Sequence, residues 1–164
     1  MRGATVVDGL GRDARRADVA VEDGRITAIG ELREDARETV DAGRLTLAPG
    51  IVDLQRGLFD LVEGVRRLTS HQADLYGIEG RGRIEVGAHA DLHLFDPATV
   101  GVSPARRVAG LPGGGRRTVR DPKGVHGVFV NGVRVFDGEN YVRHGKGPGR
   151  VFDRFPRVEG PLPP

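Results

Sequence analysis

His89, Asp91 and His93 alternate along one short stretch, and in an extended strand that spacing turns all three side chains to one face. Two imidazoles and a carboxylate so placed could hold Zn²⁺ or Ni²⁺, with water or a neighbouring chain completing the shell. They fall short of a closed four-ligand site, so adventitious binding is expected and no metal is assigned. A second arrangement sets Gly113-Gly114-Gly115 among Arg106, Arg107, Arg116, Arg117, Arg120 and Lys123. Exposed amides and guanidinium groups favour phosphate, but the Gly-Lys-Ser/Thr of a P-loop is missing and no aromatic residue is interleaved for base stacking. A solvated loop is the expectation, with no nucleic-acid partner. His71, His126 and His144 are isolated, and no serine sits on a Gly-x-Ser-x-Gly elbow. Asp53, Asp60 and Glu63 read as a strand end and helix N-terminal charges. No catalytic residue is assigned.

The elements that would carry these residues are short. Thr5-Val6-Val7, Asp18–Val21, Arg25–Ile29, Glu38–Val40 and Leu45–Ala48 are apolar or β-branched stretches, broken by Gly9-Leu10-Gly11 and Glu22-Asp23-Gly24. Strands this short must pair within one antiparallel sheet or a sandwich. From Leu58 the period changes: Leu58, Leu61, Val62, Val65 and Leu68 make one helix face, expected to lie on the sheet core. Ser70 is expected to cap a second short helix that stops at Gly77. Strand character returns over Ala90–Asp96, and residues 103–124 read as a long surface loop. Val128–Phe136 carries Asn131-Gly132 between two β-branched runs, which predicts a type I′ hairpin. Four prolines from Pro156 to Pro164 suggest a frayed tail.

The 164 residues contain 26 Gly, 10 Pro and no Cys. Many tight turns are therefore expected, and disulfides and thiolate chemistry are excluded. No basic-then-apolar leader or apolar run of membrane length is evident, so the cytoplasm is the expected location, without a membrane partner. Residues 1–55 hold 8 Arg/Lys against 11 Asp/Glu, and residues 56–164 hold 17 against 12, an acidic portion followed by a basic one.

In order along the chain, Val19–Gly30, Leu47-Ala48-Pro49-Gly50-Ile51-Val52-Asp53-Leu54, Gly64–Gly77, Gly82–Leu92, Phe95-Asp96-Pro97 and Val128-Phe129-Val130-Asn131-Gly132 resemble the metal-dependent amidohydrolase superfamily, most closely its D-aminoacylase (N-acyl-D-amino-acid deacylase) branch. The resemblance implies a small β-sandwich assembled from both ends of the chain, around a Zn-binding TIM barrel that hydrolyses amide C–N bonds. It also implies a His-x-His pair after the Pro-Gly-x-Val-Asp-Leu motif. Here Gln55, Arg56 and Gly57 follow Leu54, and helix periodicity starts at once. A barrel needs about 250 residues, so none is expected.

The expectation is a mainly β fold: a composite β-sandwich or partly open barrel with one or two short helices, as a single domain over residues 1–155 and a tail over 156–164. Within it, residues 1–54 supply N-terminal strands, 58–77 the helices and 82–142 C-terminal strands. It would be a non-catalytic remnant, natural or engineered, with no cofactor. The alternative is a C–N hydrolase whose barrel or metal site is supplied in another way. A face stripped of its barrel would favour self-association, and His93 and Gln72 stand where the family commonly has a β-branched residue and a proline, as a newly wetted surface would require.

Overall fold

The computed structural model describes residues 1–50, 60–110 and 112–152. The expectations for Ile51–Leu54, for Gln55 and Gly57, for Leu58 and for the tail fall outside them.

Seven strands form one mixed sheet: β1 (Ala4–Val6), β2 (Arg15–Glu22), β3 (Arg25–Gly30), β4 (Thr46–Pro49), β5 (Leu92–Phe95), β10 (Val125–Val130) and β11 (Val133–Phe136), in the order β11-β10-β5-β4-β1-β2-β3. The sheet is composite: β4 and β5 pair antiparallel, Leu47 opposite Leu94, and this ladder joins the N-terminal strands to the C-terminal ones. One expectation is corrected, because β1 and β4 run parallel. The chain between β3 and β4 passes across the end of the sheet, with Arg2 bridging Asp41 in parallel and the Arg2 amide donating to Val40 O. Glu38–Val40, expected as a strand, is this irregular crossover.

Register shifts at Ala20/Val21, Val125/Gly127 and Val128/Phe129 bend the sheet, so its far ends meet rather than lie flat. The meeting point is a pair of tight turns. Asp23 (φ 49°) and Gly24 (φ 77°) join β2 to β3, and Asn131 (φ 46°) and Gly132 (φ 77°) join β10 to β11. Two consecutive left-handed residues are what a type I′ hairpin requires, and Asp-Gly and Asn-Gly supply them. The Ala90 amide donates to Gly24 O and Ala90 O accepts from the Gly132 amide, each at 2.9 Å. The curled sheet encloses Val6, Val19, Ile26, Leu47, Leu92 and Leu94, all buried.

On the outer face, helix α1 (Leu61–Leu68) covers Val7, Ala48 and Phe95 with Leu61, Val62 and Val65, as its periodicity predicts. Asp60 caps it, accepting from the Glu63 amide at 2.8 Å. Glu63 then holds Arg66 (2.8 Å) and Arg67 (2.5 Å), and these guanidiniums, Arg66 first, pull its carboxyl down to about 2. Helix α2 (Ser70–Leu75) ends just before Gly77 (φ 65°). Ser70 does not cap it: Thr69 is the cap residue, without a side-chain cap bond, and the Ser70 hydroxyl donates to Gly9 O.

The predicted loop over 103–124 is also corrected. It is an exposed arm in which β6 (Gly101–Val102) pairs with β9 (Pro122–Lys123), and β7 (Arg106–Ala109) with β8 (Arg116–Val119), beyond which a 3₁₀ turn at Pro112–Gly114 forms the tip. Backbone pairing and the Arg106–Asp121 ion pair (3.0 Å) build it. Its strands bury almost nothing, so no apolar alternation announces them. Among the described residues no helix is long and apolar enough to cross a membrane.

Candidate functional site

Asp91 sits just before β5, where the curled sheet meets the β10–β11 turn. Its Oδ1 accepts the Asn131 amide at 2.8 Å, while Oδ2 pairs with Arg81. Arg81 Nη2 also donates to Asn131 Oδ1 at 2.8 Å, and Asn131 Nδ2 donates to Pro148 O at 2.7 Å. The Arg81 guanidinium lies 5.4 Å from the centre of the Phe152 ring. This network ties together the approach to β5, the type I′ turn and the 148–152 segment. Sequence reasoning missed Arg81; the signal lay in Asp91 and Asn131, each inside a matching motif, while an arginine between two glycines carries none.

The two histidines have other surroundings. The His89 amide donates to Gly80 O at 2.8 Å, and His89 bridges Arg25. Burial lowers its ring pKa, helped by Arg81 and Arg25 and opposed by Asp91. The His93 ring lies 5.4 Å from the Phe95 ring and lines a cavity of about 370 Å³ with Val100, Val125, Val128, Phe136 and Tyr141. Burial lowers its pKa too. His93 is thus half-buried in an apolar cavity rather than wetted, whereas Gln72 is exposed and donates to Arg67 O at 3.2 Å.

A zinc ion of the kind the resemblance implies does not fit these residues. Asp91 already accepts from an amide and a guanidinium, two arginines crowd His89, and no three His, Cys, Asp or Glu side chains among the described residues could hold a metal. Asp60 and Glu63 serve α1 as cap and ion-pair partner. His144 Nε2 is 2.8 Å from Arg134 O, and among the described residues His71 and His126 join no cluster of metal-ligating groups.

A cavity of about 560 Å³ lies between α2, β10 and residues 149–152. Arg81, Asp91 and Asn131 line one side of it, and Leu68, Ala73, Tyr76, Val128 and Phe152 line the apolar remainder. Leu68 therefore faces this cleft, whereas Leu61, Val62 and Val65 face the sheet. It offers apolar surface beside an arginine whose charge is already paired.

The sequence profile of the Amidohydrolase family matches residues 54–136. The chain belongs to the amidohydrolase family. Within it, similarity runs to D-aminoacylase of Alcaligenes xylosoxydans xylosoxydans, 35% identical over 103 residues, which are 60% of this chain and 18% of that protein. N-acyl-D-aspartate deacylase of the same organism is 33% identical over 98 residues, again 60% and 18%. An allantoinase of Escherichia coli O1:K1 / APEC is 43% identical over 53 residues, 32% of this chain and 11% of that one. A solved D-aminoacylase variant in complex with CuCl₂ aligns at 36% identity and a TM-score of 0.44, covering 60% of this amidohydrolase chain and 18% of that one. The chain spans less than a fifth of the length of the two Alcaligenes relatives. Both bear out the D-aminoacylase resemblance.

Proposed function

We propose that this chain is the β-domain of a D-aminoacylase-like amidohydrolase with its N- and C-terminal strand sets joined directly, and that it acts as a structural or interaction domain without a catalytic centre. The β4–β5 ladder carries the reading. Pro49 pairs with Leu92, so the chain between these partners must leave and return to the same edge of the ladder. Residues 60–91 are spent on two helices and turns, and the few that remain cannot enclose a barrel of about 250 residues. Metal-assisted amide hydrolysis needs ligands fixed on rigid elements around an open position, and the His89–Asp91–His93 stretch does not provide them.

Hydrolysis of a panel of N-acyl-D-amino acids by the purified protein, with and without added Zn²⁺, tests this. No turnover above buffer and no retained zinc are expected. Turnover accompanied by one tightly held metal per chain would overturn the proposal in favour of a working C–N hydrolase.

A further inference from the structure

The arm and the crossover before β4 carry opposite charges that the fold leaves unsatisfied. On the arm, Asp121 neutralises Arg106. Arg107, Arg116, Arg117, Arg120 and Lys123 are exposed and form no ion pair among the described residues. The register sets Arg107 opposite Thr118 and Ala109 opposite Arg116, so Arg107 and Arg116 share one ribbon face while Arg117 stands on the other.

The complementary surface is the crossover over residues 31–41, which carries five carboxylates and two guanidiniums. Glu31, Glu34, Asp35 and Glu38 are exposed and unpaired among the described residues. Glu34, Asp35 and Glu38, with Asp18 deeper in, outnumber Arg2, Arg37 and the N-terminal amine of Met1 around a groove of about 290 Å³ whose walls include Val19, Val21, Leu32 and Val40. Arg2 fixes the crossover, donating to Leu32 O and, at 2.6 Å, to Glu34 O. Both surfaces are therefore held in shape by backbone bonds, while their charged side chains remain unspent.

We propose that two copies of this chain exchange arms, the basic β7–β8 ribbon of each lying along the acidic groove of the other. Each strand of the ribbon is about 13 Å long, enough to span several carboxylates. Reciprocal exchange closes on a two-fold axis, so assembly stops at the dimer. Exposed ion pairs are individually weak, which makes the dimer sensitive to salt.

Light scattering and sedimentation of the full chain test this at about 50 mM and about 500 mM NaCl. The expected result is a dimer at low salt, with association weakened at least about tenfold in favour of monomer at high salt. Two variants, Arg116→Glu/Arg117→Glu and Glu34→Arg/Asp35→Arg, should each be monomeric with unchanged circular dichroism. Mixed one to one they should form a heterodimer, because each reversed surface then meets its opposite. Monomeric wild-type protein at low salt, a dimer indifferent to either variant, or failure of the folded mixture to associate would overturn the proposal. So would a monomer whose arm binds a 20-base-pair DNA duplex, which would make nucleic acid the partner instead.

Discussion

Gly24 and Gly132, from opposite ends of the sheet, stand back to back: a Cβ on Gly132 would lie 3.1 Å from the Gly24 Cα, and a Cβ on Gly24 would lie 2.8 Å from Asn131 O. Both glycines are left-handed, and Ala90 hydrogen-bonds to both turns. Substitution at either position therefore meets backbone strain and backbone atoms that cannot yield. Gly132→Ala is expected to lower stability by about 2–3 kcal/mol, measured by urea unfolding. Gly113→Ala in the arm is the control. Its φ of 75° is equally left-handed, but nothing lies within 4 Å of the added Cβ, so only the conformational cost of about 1 kcal/mol should appear. Equal losses would mean that the two turns do not close on each other.

Arg81 is more deeply placed than the other ion-paired arginines, with a side chain 12% exposed. Asp91→Ala would leave that guanidinium without its carboxylate and the Asn131 amide without its acceptor. A loss of about 2–4 kcal/mol is expected by chemical denaturation. Arg81→Met/Asp91→Leu, which removes both charges, should recover much of it, as replacing a buried pair by apolar groups often does. A double variant no better than Asp91→Ala would deny the pair this role.

Two of the groups that contribute to the acid dependence act in different pH windows. His93 has a folded pKa below its ordinary 6.5 because burial disfavours the cation. The unfolded chain therefore binds the extra proton first, so this contribution is complete above about pH 6.5 and falls as pH drops through the folded value. Asp8 is 1% exposed. Burial alone would raise its carboxyl, but the Leu10 amide (2.9 Å), Arg12 (2.7 Å) and Arg15 (3.2 Å) outweigh burial and hold it below 3.8. Its contribution is present above about pH 4 and disappears below it. Stability measured against pH should lose slope just below about pH 6.5 in His93→Phe, and below about pH 4 in Asp8→Asn. Profiles parallel to wild type would refute both assignments.

Helix α1 should respond more to its packing than to its cap. Val65 is fully buried against Val7, Ala48 and Phe95, and Val65→Ala is expected to cost about 1–3 kcal/mol. Asp60→Ala removes one cap bond of 2.8 Å, worth about 1 kcal/mol. Thermal unfolding should rank them in that order. The reverse order would mean that the helix is not seated on the sheet.

The parts of this fold legible in the sequence are those with a local cause. Asp23-Gly24 and Asn131-Gly132 announce their turns because few residues other than Gly, Asn and Asp tolerate a left-handed backbone. The α1 face is legible because burial against a sheet imposes a period of 3.6. The parallel β1–β4 pairing is not, since it depends on how the 31–45 crossover runs, which no residue pattern encodes. The β7–β8 arm is hidden for the opposite reason, because strands exposed on both faces need no apolar alternation. At the candidate site, spacing brought His89, Asp91 and His93 into view as a possible ligand set. What occupies them is set from far along the chain: the Asn131 amide on Asp91, and Val125, Val128, Phe136 and Tyr141 around His93.

The N- and C-terminal strands form one body through the β4–β5 ladder. Native-state hydrogen exchange, resolved by residue, tests it most directly. The amides of Ala48 and His93, which face each other across the β4–β5 ladder, should exchange only through global unfolding, with the same free energy as the Ala20 and Ala28 amides of the β2–β3 pair. Fast exchange at Ala48 and His93 while β2–β3 stays protected would show two halves that merely touch, and would contradict this reading of the fold.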